Sequence, residues 1–209
     1  MDPNAIRRAA DHSVEPITDA RARALVKRFQ AGETAAFERL YLAYFGPVHS
    51  YMSLVLRNPH DAEDATQQVF TSVFDNLARY EDRGLPFRAW LFTIARHQGM
   101  STRKGRGDAN VMDPQLLDQT RDAIAPARST KTLDLGDDAL VRILEMLPPV
   151  QRQILLLRHV FDFRHREIAI IVERSPEAVR QLHTRATKVL RARLEPLRRS
   201  GGAELPAAA

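Results

Sequence analysis

Apolar residues return every three or four positions along most of this chain, the period of amphipathic helices and not the alternation of strands. Thr18 stands where it can cap a first helix, with Leu25, Val26 and Phe29 on its apolar face and a stop near Gly32. Thr34 precedes Phe37, Leu40, Tyr41 and Tyr44, spaced i, i+3, i+4, i+7, and Gly46-Pro47 is expected to close that second helix. Val48, Tyr51, Leu54 and Val55 make a third, ended by Asn58-Pro59. From Asp61 a long stripe follows: Ala62, Ala65, Val69, Val73 and Leu77, widened by Phe70 and Phe74. A loop from Tyr80 to Leu85 contains Gly84. Pro86 then suits the first turn of a helix whose inward stripe is Phe87, Leu91, Ile94 and Ala95.

The pattern fades between Gly105 and Gly136, where Asp, Gly, Pro, Ser and Thr dominate, apart from a short helical trace near Leu116-Leu117. Such a stretch reads as a flexible linker, able to reach on the order of 100 Å when fully extended. Helical periodicity resumes with Leu140, Ile143, Leu144 and Leu147, and again after Pro148-Pro149 with Val150, Ile154 and Leu157. A short helix with Ile168, Ile171 and Val172 inward follows. The last helix opens on Ser175-Pro176-Glu177, a capping hydroxyl, a proline at the first helical position and an acid that favours the helix dipole. Its core stripe is Val179, Leu182, Ala186 and Val189, and Pro196 is expected to end it. The reading is all-α: a helical bundle over 18–104 and a helix-turn-helix domain over 137–196, joined by the linker 105–136. A loose arm (1–17) and a tail (197–209) flank them.

Charge sharpens this picture. Of the 209 residues, 31 are Lys or Arg and 26 Asp or Glu, a formal net charge of +5 that makes an anionic partner the first to test. From Arg180 to Arg199 the basic residues are Arg180, Arg185, Lys188, Arg191, Arg193, Arg198 and Arg199, with Glu195 the sole acid among them. Cysteine is absent, which excludes disulfides and thiolate-held zinc and suits a reducing cytoplasm. No apolar run approaches the roughly 20 residues needed to span a bilayer, so no membrane insertion is expected. Glycine-rich phosphate loops, nucleophile motifs and His/carboxylate metal sets are likewise missing, which argues against an enzyme and calls for no cofactor or metal.

The short helix, tight turn and longer helix over 167–190 have the order of a helix-turn-helix. On the second helix Arg180, Thr184 and Lys188 are four apart and stack on one face, with Gln181 and Arg185 beside them, opposite the core stripe. Arg and Gln make bidentate contacts to base edges in a major groove, each worth roughly 1–3 kcal/mol of discrimination. Lys188, Arg191 and Arg193 suit phosphates, which position a helix without reading sequence.

Several blocks, in order, resemble the sigma-70 family and specifically its extracytoplasmic-function (ECF) branch, which keeps the second and fourth conserved regions. They are residues 32–41 (GETAAFERLY), 61–70 (DAEDATQQVF) and 87–96 (FRAWLFTIAR), then 147–152 (LPPVQR), 155–158 (LLLR), 167–169 (EIA) and 175–186. The resemblance implies a subunit that binds core RNA polymerase, directs it to promoters and assists their melting. It places Asp61, Glu63, Asp64, Gln67, Gln68 and Phe70 on the helix that docks on the clamp helices of the largest polymerase subunit. It assigns the −10 element to the Tyr80–Leu85 loop and the following helix, with Arg88, Trp90, Arg96, His97, Arg103 and Lys104. Trp90 either stacks on separated bases or packs in the core beside Leu91. The −35 element falls to Ser175, Arg180, Gln181, Thr184, Arg185 and Lys188. An anti-sigma factor is a further partner that the family implies.

The chain also departs from the family pattern. His97 and Ser101 stand where Asn and Asp are common, and Leu182 where many members carry Arg. Glu173 replaces a frequent glycine, so the turn is expected to form without free access to positive φ. Arg164 takes the place of a capping Ser or Thr, with Asp162 as a substitute, and His183 reads as a partly exposed surface residue. Two other functions fit parts of the pattern. A fold mimic that sequesters an anti-sigma factor would lose its basic DNA-facing side chains, yet Arg88, Arg96, Arg103, Arg180, Arg185 and Lys188 are present. An autonomous helix-turn-helix regulator would have no reason for the Asp61–Phe70 block.

Overall fold

A computed structural model describes residues 17–56, 58–105, 144 and 146–200. Seven helices are recorded among them: α1 Asp19–Gln30, α2 Ala35–Leu56, α3 Pro59–Leu77, α4 Phe87–Gly105, α5 Pro149–His159, α6 His165–Ile171 and α7 Pro176–Ser200. The chain divides into two compact units between Val111 and Met112. All of the expected linker except Gly105 lies outside the described residues, as do the arm 1–16, Leu140 and Ile143.

In the first unit the four helices bury one shared apolar seam. It comprises Ala22, Leu25 and Val26 of α1, Leu40, Tyr44, Val48, Tyr51 and Met52 of α2, Ala62 to Leu77 at helical spacing on α3, and Phe87, Leu91, Phe92 and Ala95 of α4. The expected break at Gly46-Pro47 does not occur, for α2 runs unbroken to Leu56 with Pro47 inside it. Proline there removes one i→i−4 bond. The buried stripe Leu40, Tyr44, Val48, Tyr51, Met52 nevertheless passes through the same turn, and tertiary packing prevails over local punctuation. Leu54, expected inward, is exposed, and Met52 takes that place. Asn58-Pro59 proves to be a beginning as well as an end. The Asn58 side-chain oxygen accepts from the N–H groups of His60 (3.0 Å) and Asp61 (3.2 Å), with Pro59 at the first helical position. On α4 Phe92 is buried while Ile94 is only half-buried. Gly99 lets α4 close on α2, since a Cβ there would stand 3.2 Å from Val55 Cγ1.

The second unit builds its core from Leu147, Ile154, Leu155, Leu156, Leu157, Phe163, Ile168, Ala169, Ile171, Val172, Val179 and Ala186. Arg152 holds the preceding turn, donating from Nε to Leu144 O (2.9 Å) and from Nη2 to Leu147 O (3.3 Å). Arg158 does the same for the α5–α6 turn through Phe163 O at 3.1 Å, while Asp162 takes a positive φ of 49°. The start of α6 is capped from inside the helix. The Glu167 carboxylate accepts the Arg164 N–H at 2.5 Å, and a guanidinium has no acceptor with which to complete a reciprocal box.

The turn between α6 and α7 corrects another expectation. Glu173 does enter the left-handed region, with φ 55°. Its N–H reaches Ile170 O (3.1 Å) and the Arg174 N–H reaches Ala169 O (2.9 Å), the paired bonds of a Schellman stop. Two satisfied carbonyls outweigh a strain of roughly 1–2 kcal/mol for a residue bearing Cβ. Pro196 does not end α7, whose backbone stays helical to Ser200. On its apolar side Val179 and Ala186 are buried, Leu182 is half-buried and Val189 is exposed.

Candidate nucleic-acid and polymerase interfaces

On α3 the residues Asp64, Gln67 and Gln68 are exposed, and Asp61 and Glu63 are half-buried beside them. Because α3 starts at Pro59, Asp61 alone of the three acids falls in its first turn, where it favours the helix dipole. Gln68 is tied to α4 by a hydrogen bond from the Gln98 amide. Phe70 is different. It is 5% exposed and lies under Tyr41 (ring centroids 4.7 Å) and Phe45 (6.2 Å), so it shapes this face from beneath and is not available for docking.

Between α3 and α4 the loop 78–86 turns sharply where Asp82 Oδ1 accepts the Gly84 N–H at 3.0 Å, with Gly84 at φ 74°. Tyr80, Phe87 and Trp90 form an aromatic group at its foot. Trp90 stands edge-on to Tyr80 at 4.9 Å and 5.5 Å from Phe87. Trp90 is half-buried, so it is both packed and partly presented. Elsewhere on α4 His97 and Lys104 are exposed, and Arg88 and Arg103 are half-buried. Arg96 does not join them. At 3% exposed it sits on the inward stripe with Phe92 and Gly99, one turn to either side, so this cation is a bundle residue and not a DNA-facing one.

Helix α1 supplies contacts that no motif announces. Asp19 Oδ1 accepts the Phe87 N–H at 2.9 Å and so caps α4 from 68 positions away. Arg23 pairs with Asp19 at 2.8 Å and with Asp82 at 3.1 Å. The Gln30 amide donates to Leu77 O (3.2 Å) and Tyr80 O (2.8 Å). Their partners are 47 or more residues distant for Gln30 and Asp19, so local spacing carries no sign of them.

In the second unit α7 presents Arg180, Gln181, Thr184, Arg185 and Lys188 together on its exposed face. Ser175 Oγ accepts the Ala178 N–H at 3.1 Å, fixing the start of the helix. Glu177 accepts from Arg180 Nη2 at 2.7 Å, which holds that guanidinium near the helix N-terminus. Arg191 and Arg193 are exposed further along.

His183 is not a solitary surface residue. Its Nε2 lies 3.1 Å from His159 Nε2, and His165 stands edge-on to it with ring centroids 5.0 Å apart. Burial, and then the neighbouring cations and imidazoles, hold His165 and His183 below the ordinary histidine range. Among the described residues no group of three or more His, Cys, Asp or Glu is arranged to hold a metal ion, and no helix is long and apolar enough to cross a membrane.

Family models for sigma-70 region 2 and sigma-70 region 4 match residues 40–106 and 137–190. The ECF RNA polymerase sigma factor ShbA of Streptomyces griseus is 32% identical over 183 residues, covering 82% of this chain and 94% of that protein. The chain belongs to the sigma-70 family, in its ECF branch. The ECF sigma factor BldN of Streptomyces coelicolor is also 32% identical, over 85% of this chain and about two thirds (67%) of its own length. The fold matches that of the sigma factor RpoE in complex with the anti-sigma factor NepR from Bartonella quintana. The TM-score is 0.57 at 24% identity, covering 76% of this chain and 96% of that one. Region 2 thus contains α3, the loop 78–86 and α4, and region 4 contains α5, α6 and the basic face of α7.

Proposed function

We propose that this ECF sigma factor divides promoter-specific initiation by RNA polymerase among three of its surfaces. The face of α3 carrying Asp61, Glu63, Asp64, Gln67 and Gln68 docks on the clamp helices of the largest core subunit, with Phe70 supporting it from below. The loop 78–86 and α4 take the −10 element. Trp90 offers an aromatic edge to unstacked bases, and Arg88, His97, Arg103 and Lys104 flank the backbone. Unstacking costs a few kcal/mol per step, and stacking on an aromatic ring with nearby cations offsets part of it. Helix α7 reads the −35 element, with Arg180, Gln181 and Arg185 at base edges and Thr184, Lys188 and the Ser175 N-cap at phosphates.

The observation that carries this reading is the exposed face of α7. Five side chains able to contact DNA share one side of a helix that packs into the core through Val179 and Ala186 on the other. The protein acts in the cytoplasm beside polymerase and performs no catalysis of its own, since nucleotide addition belongs to the core enzyme. An anti-sigma factor that covers these surfaces is its expected inhibitor.

The test mixes the protein with sigma-free core polymerase, looks for co-elution, and then sequences transcripts from a pool of genomic promoters. Start sites that arise only when the protein is present support the reading, and their alignment yields both promoter elements. Tight binding to a palindromic duplex without polymerase would replace it with an autonomous regulator.

A further inference from the structure

Helix α1 lies outside the segment that the region 2 model matches, and none of its residues belongs to the surfaces assigned above. Yet three of its polar side chains reach the DNA-facing loop. Asp19, Arg23 and Gln30 are spaced i, i+4, i+11, which brings them onto one stripe of a helix turning about 100° per residue. That stripe borders the buried one formed by Ala22, Leu25 and Val26.

Each member holds a different part of loop 78–86. Gln30 grips its entry, donating to Leu77 O and Tyr80 O where α3 runs out of intrahelical partners. Arg23 grips its middle through Asp82, the residue whose other carboxylate oxygen shapes the Gly84 turn. Asp19 grips its exit by capping Phe87, the first residue of α4, and in turn orients Arg23. A loop with a glycine at positive φ has little local reason to keep one shape, and loop tips are the usual sites of conformational freedom. Here three anchors from a single rigid helix fix it at both ends and the middle.

We propose that Asp19, Arg23 and Gln30 are positioning residues for promoter opening: α1 braces loop 78–86 in the shape that receives the separated −10 strand. The inference rests on the assignment of that loop to the −10 element. The brace touches neither DNA nor polymerase. It lowers the conformational cost of capturing a strand, because the loop is ordered before the bases arrive. Arg23 is suited to this, since its planar fork spans two carboxylates at once, whereas a lysine ammonium is a single point charge.

The experiment uses the full chain bound to core polymerase and a single-stranded oligonucleotide carrying the −10 element obtained from start-site alignment. Arg23→Gln and Gln30→Ala are each expected to weaken oligonucleotide affinity by about fivefold, the scale of one partly exposed ionic or polar contact. Affinity for core and for a duplex bearing the −35 element should not change. Arg23→Lys, which keeps the charge but cannot span both carboxylates, should recover only part of the affinity lost in Arg23→Gln. Arg23→Gln combined with Asp82→Asn, which keeps an oxygen for the Gly84 N–H, should be no worse than Arg23→Gln alone, because both remove one interaction.

Unchanged oligonucleotide affinity in Arg23→Gln and Gln30→Ala would overturn the brace, as would full additivity in the double variant. A parallel loss of core affinity would overturn it too, by showing a general loss of folding. Failure of the assignment beneath it looks different: the unaltered holoenzyme would then not bind the oligonucleotide at all.

Discussion

The two units hold the elements proposed to read DNA by opposite means. In the second, the helix ends that present α7 are fixed by local contacts. Ser175 caps Ala178 three residues on, Glu177 holds Arg180, Glu167 closes the start of α6, and the Schellman pair closes its end. In the first, the reading loop is held by α1 across 47 to 68 residues of chain. A reader made of a regular helix needs only a defined start and a packed back. An irregular loop has no repeating hydrogen bonds of its own and must borrow its order from elsewhere in the fold.

The comparison can be broken most forcefully at the core. Ile168 is fully buried in a unit with few large side chains to spare, so Ile168→Ala should cost about 2–5 kcal/mol. Calorimetry should then show the region 4 transition shifted down or lost while that of region 2 stays in place. A common shift of both would show that the units are not independent.

Caps give the next largest effect. Asp19→Ala removes the distant cap on α4 and one partner of Arg23, and should destabilise region 2 by about 1–2 kcal/mol. Ser175→Ala removes a local cap and should destabilise region 4 by about 1 kcal/mol. Denaturant melts of each variant check the two values. The sharper distinction is in function: Asp19→Ala should also slow promoter opening, whereas Ser175→Ala should act only on −35 binding.

Glu173→Gly works in the other direction. Glycine adopts φ 55° without the Cβ penalty, and region 4 should gain about 1 kcal/mol, which raises the melting temperature of a domain this small by roughly 4–8 °C. No change would mean that the exposed glutamate repays its strain with side-chain contacts.

The smallest effect is one of pH, because the rings concerned are only partly buried. His165 and His183 are held below the ordinary value of 6.5, first by burial, then for His165 by Arg158, Arg180 and His159 and for His183 by His165, His159 and Arg158. Arg158 faces Asp162 and Arg180 is paired with Glu177, so both cations are partly countered. The unfolded chain therefore binds more protons than the folded one between the folded values and 6.5, and stability rises with pH across that window. Region 4 should be most stable above pH 6.5 and lose stability as pH falls through it, until both folded values are passed. The geometry agrees, since two Nε2 atoms 3.1 Å apart accommodate one proton between them and not two. His183→Gln should flatten the dependence, as read from melting temperatures at pH 7.5 and 5.5.

What the sequence alone determined is whatever depends on neighbours within a turn or two. The all-α class, the Ser175-Pro176-Glu177 start, the buried Val179 and Ala186 and the exposed Arg180, Gln181, Thr184, Arg185 and Lys188 all follow from helical spacing and capping chemistry. So does family membership, because the blocks that carry it are contiguous. Tertiary structure decided where local signals conflict or say nothing. It carried α2 through Pro47 because the buried stripe crosses that turn, and it placed Arg96 and Phe70 inside the bundle because they lie on inward stripes. It gave Glu173 a positive φ because two helix carbonyls required partners. It brought His159, His165 and His183 together, and Asp19, Arg23 and Gln30 onto a distant loop. Contacts between residues far apart in the chain leave no period in the sequence, since each exists only once the helices have packed.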